Sequence, residues 1–163
     1  MSDRIAILND GGIEQLGTAH ESYHQPRTRF VAEYVGEANL LPAQVIGTNG
    51  MGASVKLANG MTLKADCPTL PQEGSPVPLS IRPEKIRLSR VPVPECGCIE
   101  AEVIEEVFRG QTVQRLLRAV GRLELVVVAT HESAAQDSCR KGERTFCTLH
   151  PADTVVIDAA GAT

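Results

Sequence analysis

At 163 residues, 42% of them apolar, the chain is long enough for one sizeable core or two small ones. Its net charge of −4 gives no basic excess of the kind nucleic-acid binding requires. The longest apolar run, residues 125–129, is far short of the ~20 a spanning helix needs, and Asp3, Asn9 and Asp10 interrupt any leader-like stretch.

Residues 5–8 and 13–16 are apolar runs on either side of Asn9-Asp10-Gly11-Gly12, whose residues tolerate positive φ, and together they predict a β-hairpin. Two strands alone bury too little to be stable, so this hairpin needs a sheet that the chain does not supply. Thr18-Ala19-His20-Glu21 is a capping box opening a short helix that Pro26 stops. A second helix starts near Thr28, with Phe30, Val31, Tyr34 and Val35 on one stripe and Gly36 suited to its C-terminal cap. Asn39-Leu40-Leu41-Pro42 breaks the helical pattern.

The string MSDRIAILNDGGIEQLGT, followed by Tyr23, Pro26, Phe30-Val31-Ala32 and Gly36-Glu37-Ala38-Asn39-Leu40, resembles the end of the nucleotide-binding domain of an ABC importer ATPase subunit. The resemblance is to the spermidine/putrescine and ferric-iron type, running into the C-terminal TOBE (transport-associated OB) domain, and it continues more loosely to the end of the chain. It implies that residues 1–40 are the tail of the nucleotide-binding domain and residues 41–163 a regulatory domain. On this reading Met1 is either the start of a shortened product or an internal residue of a longer ATPase.

From Leu41 onward short alternating strands are punctuated by glycine and proline, the pattern of a small sandwich or barrel. An internal duplication is visible. Ala43-Gln44-Val45-Ile46 returns as Ala101-Glu102-Val103-Ile104, and residues 74–85 line up with residues 142–153, so that Pro83 falls on Pro151. Hairpins lie between these markers at residues 53–65, around Asn59-Gly60, and at residues 112–129, around Val120-Gly121. The predicted fold is mainly β: an OB-like barrel of two interleaved, five-stranded halves, about 41–89 and 99–158, preceded by the hairpin and two short helices. Residues 90–98, rich in proline, read as the linker between them.

No stretch reads G-x-x-x-x-G-K-[ST], so the chain lacks the loop that holds nucleotide phosphates and is not expected to hydrolyse ATP. The resemblance implies that ATP and magnesium belong to the nucleotide-binding domain, and no cofactor is expected on this chain. The five cysteines, Cys67, Cys96, Cys98, Cys139 and Cys147, are odd in number and irregular in spacing, unlike a secreted disulfide framework. Cys96-Gly97-Cys98 has half the ligands of a closed zinc site, and His20 and His24, at i and i+4, have no third ligand at suitable spacing. His131-Glu132-Ser133 reads as a turn, because the members of a catalytic triad converge from different elements.

The candidate ligand or interface residues are Arg82, Glu84, Lys85, Gln111 and Thr112. Arg82 and Lys85 suit anionic ligands or a partner's carboxylates. The competing reading is a proline turn with its charges in water, favoured by the repeat, where Arg82 becomes His150 and Lys85 becomes Asp153. Gly110-Gln111-Thr112 and Thr48-Asn49-Gly50 are polar loops of the kind that hold small oxyanions in related molybdate barrels. Stacking of bases is not expected, since Phe108 and Phe146 are the barrel's aromatics and the chain is acidic.

The resemblance implies a homodimer through the barrel, working with the nucleotide-binding domain and the membrane permease subunits of an importer. The location implied is cytoplasmic, peripheral to the inner membrane. The alternative is a free-standing barrel that binds and senses an oxyanion or solute. Leu116-Leu117 and residues 123–128 either contribute to the dimer face or are buried within the barrel and its neighbouring half.

Overall fold

The computed structural model describes residues 3–50, 52–137 and 139–158, with Asp137 described by its backbone alone. Met1, and the last five residues of the predicted second domain, lie outside the described residues. Strands β1 (Ile5–Asn9) and β2 (Gly12–Gly17) form the hairpin, turning through Asp10 at φ 46° and Gly11 at φ 80°, the left-handed pair such a tight turn requires. Helix α1 (Ala19–His24) begins at the capping box: Thr18 Oγ1 accepts from the Glu21 amide, and the Glu21 carboxylate accepts from the Thr18 amide. Helix α2 (Arg29–Tyr34) buries Val31 and Ala32 completely.

The rest is β structure. Strands β3 (Asn39–Asn49), β4 (Gly52–Leu57), β5 (Thr62–Asp66) and β6 (Pro76–Ile81) lead to a 3-10 turn at Pro83–Lys85 and strand β7 (Arg87–Ser89). The second half repeats the plan with β8 (Gly97–Arg109), β9 (Thr112–Ala119), β10 (Glu124–Thr130), helix α3 (His131–Asp137) and β11 (Arg144–Leu149). A 3-10 turn at Pro151–Asp153 and strand β12 (Thr154–Val156) complete it. The closed barrel has the order β12-β5-β4-β3-β6, and an open sheet has the order β10-β9-β8-β11-β7. Each half therefore gives its last short strand to the other, and a single apolar cluster, from Leu41 and Leu79 to Leu117 and Leu149, runs through both.

The duplication extends to backbone detail. β3 bulges against β4 between Val45 and Gly47, and β8 bulges against β9 between Val103 and Glu105. Beside each bulge a glycine amide donates to the bulge valine's carbonyl at 2.8 Å: Gly74 to Val45 and Gly142 to Val103. Both glycines have φ 86°, a conformation in which a Cβ is strained.

Two expectations need correction. Residues 131–133 open α3 rather than lying in a turn, because the chain, on leaving β10, is drawn back by the His131 amide donating to the Gln111 carbonyl. The linker is shorter than proposed: β8 begins at Gly97, so Cys98 is a strand residue paired with Thr148. Alternation along β8 buries Ile99, Ala101 and Val103 on one face, and that hydrophobic pattern outweighs the pair of prolines upstream.

Candidate functional site

Arg82 directly follows β6, where continued alternation would place a charged residue near solvent, yet it is only 4% exposed. Its guanidinium holds the N-terminal segment. Nη1 donates to the carbonyls of Ala32 (3.0 Å), Gly36 (2.9 Å) and Glu37 (3.1 Å), while Nε and Nη2 both donate to Tyr23 (3.1 and 2.8 Å). Its carbon lies 4.2 Å from the centroid of the Tyr23 ring, a cation–π contact. The Tyr23 hydroxyl in turn donates to Glu84. Burial, then the Glu84 contacts, push the Tyr23 hydroxyl above the ordinary phenol range, and burial lowers the Arg82 guanidinium.

This arrangement corrects the reading of Arg82 as a group open to a ligand, and equally the reading that leaves it in water. The guanidinium is spent on carbonyls at the ends of α1 and α2, which a fork of donors can reach from one point. Glu84 serves the same junction through Tyr23. Lys85 Nζ lies 3.4 Å from Asp153 Oδ1, a half-exposed pair that joins the two 3-10 turns. The sequence repeat had made these two positions equivalents; the fold brings them face to face.

Gln111 lies in the turn between β8 and β9, and Thr112 opens β9. Thr112 Oγ1 donates to the Arg109 carbonyl at 3.1 Å, and the Gln111 carbonyl accepts the His131 amide at 3.3 Å. His131 Nε2 meets the Gly110 carbonyl at 2.8 Å, and its ring stacks on Phe108 with centroids 5.7 Å apart. The loop therefore anchors α3. His20 and His24 share one face of α1, 4.3 Å apart, and burial first, then the neighbouring cations, lower His24 below the ordinary histidine range.

A feature that the sequence reading passed over is Arg115. It points inward from β9 between Val113 and Leu117, and its side chain is 5% exposed. Nε donates to Glu106 Oε2 at 2.6 Å and Nη2 to the Ala134 carbonyl at 3.2 Å, while Nη1 is buried with no partner. An unpaired buried donor costs about 1–3 kcal/mol. Arg115 lines a cavity of 620 Å³ together with Arg90, Phe108, Arg140 and Glu143. The signal was available: a charge at an apolar-facing position of an alternating strand.

The cysteines are distributed among different environments. Cys139 Sγ contacts Thr145 Oγ1 at 3.2 Å, Cys98 Sγ accepts from the Val93 amide at 3.2 Å, and Cys67 Sγ donates to the Thr69 carbonyl at 2.7 Å. Among the described residues no three His, Cys, Asp or Glu side chains are grouped to hold a metal ion. Burial, with the neighbouring thiols Cys139 and Cys98 adding to it, pushes the Cys147 thiol up to about 12. The hairpin of β9 and β10 turns Leu117, Leu125 and Val127 into the core. The outward Leu116, Val126 and Val128 are half-buried, and along the β10 edge Asn39 brackets Val126, donating to its carbonyl at 2.8 Å and accepting its amide at 2.7 Å.

Comparison with known proteins agrees with this geometry. Residues 79–157 match the TOBE domain family. The spermidine/putrescine import ATP-binding protein PotA of Roseobacter denitrificans is 37% identical over 127 residues, 78% of this chain and 35% of that protein. The protein of the same name from Rubrobacter xylanophilus is 34% identical over 161 residues, 96% of this chain and 38% of that protein. The chain thus spans well under half the length of these relatives. Among solved structures, the cytoplasmic molybdate-binding protein ModG superposes with a TM-score of 0.62 over 72% of this chain and 94% of its own, at 12% identity. That likeness is one of fold.

Proposed function

We propose that this chain, whose residues 79–157 match the TOBE domain family and which is similar over most of its length to spermidine/putrescine import ATP-binding proteins, is the regulatory and dimerisation domain of such a subunit. The observation that carries this reading is a match running over 96% of the chain, through the hairpin and helices as well as the barrel. In this role residues 1–40 are the tail of a nucleotide-binding domain, residues 41–163 are the regulatory domain, and the Arg82 junction transmits movement between them. Two such subunits pair through their barrels while the nucleotide-binding domains, which hold ATP and magnesium, open and close. The assembly sits on the cytoplasmic face of the membrane against permease subunits. No helix among the described residues is long and apolar enough to cross a membrane.

The barrel alone is not the catalyst on this reading, and the sequence holds no phosphate-binding lysine motif. Light scattering on the purified chain tests the dimer. A mass that rises from 17.5 kDa toward twice that value with concentration is expected. A monomer at every concentration, together with unchanged ATPase activity when the barrel is deleted from a full-length subunit, would sink the proposal.

A further inference from the structure

We propose that the cavity beside Arg115 binds a small organic anion, its carboxylate or phosphate head against the arginines and its flat or apolar body against Phe108 and Val113. This goes beyond the regulatory reading and does not depend on it.

The head-group end is argued from Arg115. A guanidinium offers five N–H donors, and a single carboxylate plus one carbonyl leaves Nη1 unmatched in a place that water does not reach. The fold itself does not demand a charge there. By the repeat register, Val103, Glu106 and Arg115 stand where Val45, Thr48 and Ala53 stand in the first half, and Ala53 fills its place as a plain apolar residue, 2% exposed. A buried arginine with a spare donor is therefore an addition to a scaffold that closes without it.

The cavity's charge points the same way. Arg90, Arg115 and Arg140 face it, against Glu106 and Glu143. Glu106 is engaged by Arg115, and Glu143 accepts the Arg140 amide at 2.9 Å. An anionic head placed here would meet guanidiniums whose forked donors match a carboxylate or phosphate. The lining also has an apolar part on the same sheet face, where Phe108, stacked within 15° of the plane of His131, is paired across the strands with Val113. A volume of 620 Å³ is larger than an inorganic oxyanion fills and falls among the sizes of small-molecule sites.

On this proposal the anionic head competes with the Ala134 carbonyl of α3 for the Arg115 guanidinium. That helix is held by contacts to the Gly110-Gln111 turn and by the bond from Arg115 Nη2 to Ala134. A ligand that takes over this donor exchanges a bond within the protein for one to itself, so binding and the position of α3 are coupled.

The test is a titration of the full chain with phenyl phosphate, benzoate and inorganic phosphate at constant ionic strength, followed by calorimetry and thermal unfolding. Saturable binding of phenyl phosphate or benzoate is expected, with inorganic phosphate at least about tenfold weaker for want of the apolar contact. The paired substitution Arg115→Ala with Glu106→Thr rebuilds the uncharged arrangement of the first half, so that the variant folds and binding falls at least about tenfold. Arg140→Gln, on the exposed rim, weakens binding less. Absence of saturable binding by any probe overturns the proposal. So does unchanged affinity in the paired variant, and equal affinity for phosphate and phenyl phosphate overturns the organic body.

Discussion

The two halves share a backbone and differ in what they bury. At matching positions the first half places Ala53, Val77 and Leu79 inward, and the second places Arg115, Thr145 and Cys147, all less than 5% exposed apart from Val77 at 5%. Bulges, glycine bonds and proline 3-10 turns coincide, so the polar groups were accommodated without altering the path of the chain. The apolar half closes into a barrel through β12, whereas the polar half stays an open sheet flanked by α3. One copy thus satisfies the packing with apolar residues, and the other carries donors and acceptors at the same inward positions. Differences between equivalent residues separate structural demand from later specialisation.

The largest expected difference lies between Arg82 and its counterpart His150. Arg82→Ala strips donors from four carbonyls at the ends of α1 and α2 and should cost about 3–5 kcal/mol. Arg82→Lys should recover only part of this, since a single ammonium cannot fork to those carbonyls. His150 is exposed, its Nδ1 accepting the Ala152 amide at 3.2 Å, and His150→Ala should cost about 0.5–1 kcal/mol. Urea unfolding gives both values, and hydrogen exchange in α2 should accelerate in the Arg82 variant alone. Equal costs would mean that Arg82 is not the junction.

The next contrast, Cys147 against Leu79, appears on titration. Cys147 is raised from 9.0 to about 12 in the folded chain, so the folded state keeps a proton that the unfolded thiol loses above pH 9. Its contribution is complete below pH 9 and declines as pH rises toward 12, by about 1.4 kcal/mol per pH unit at most. Cys147→Ala should therefore flatten the alkaline loss measured by urea midpoints. An identical slope in both proteins would place the loss on other groups. Leu79 has nothing to titrate, and an apolar substitution there should leave the slope unchanged.

Much of this fold was legible, and the reason is local. The hairpin turn, the Thr18 capping box and the repeat markers around Gly74 and Gly142 are short-range patterns whose geometry their own residues dictate. The mainly β, OB-like architecture followed from strand spacing and the repeat. Helix α3 was missed because its first residue is held by Gln111, 20 positions earlier, a bond that spacing does not announce. The candidate sites fared less well for the same cause. Arg82 looked like a surface charge until α1 and α2 folded over it, and Arg115 was overlooked because the period-2 pattern around it was read for its apolar members alone.

The open edge of the second sheet offers a smaller test. In the barrel, β5 meets β12, and Thr154 Oγ1 donates to the Lys64 carbonyl at 3.3 Å. At the corresponding edge β10 has the Asn39 side chain in place of a strand. Asn39→Ala leaves the amide and carbonyl of Val126 without these bonds and should cost about 1–3 kcal/mol. Asn39→Asp keeps the acceptor for the Val126 amide, so that amide should remain protected from exchange while protection is lost in the alanine variant. Equal exchange in the two would show that neighbouring strands, not Asn39, hold the edge.

The smallest effect concerns the place where the halves meet. Lys85 and Asp153 are equivalents on the two proline turns, 3.4 Å apart, with side chains 39% and 30% exposed. Identical residues at these two positions would set like charges against each other across this junction; the difference between them makes the contact attractive. In half-exposed surroundings the pair is worth no more than about 0.5–1 kcal/mol, so Asp153→Ala should be nearly silent. Asp153→Lys restores the symmetric charges and should cost more than the alanine change, because it adds repulsion as well as removing attraction. In 1 M salt, where screening acts within about 3 Å, the two variants should converge. If the lysine variant stays worse at high salt, its fault is shape rather than charge, and the junction is packed more tightly than its exposure implies.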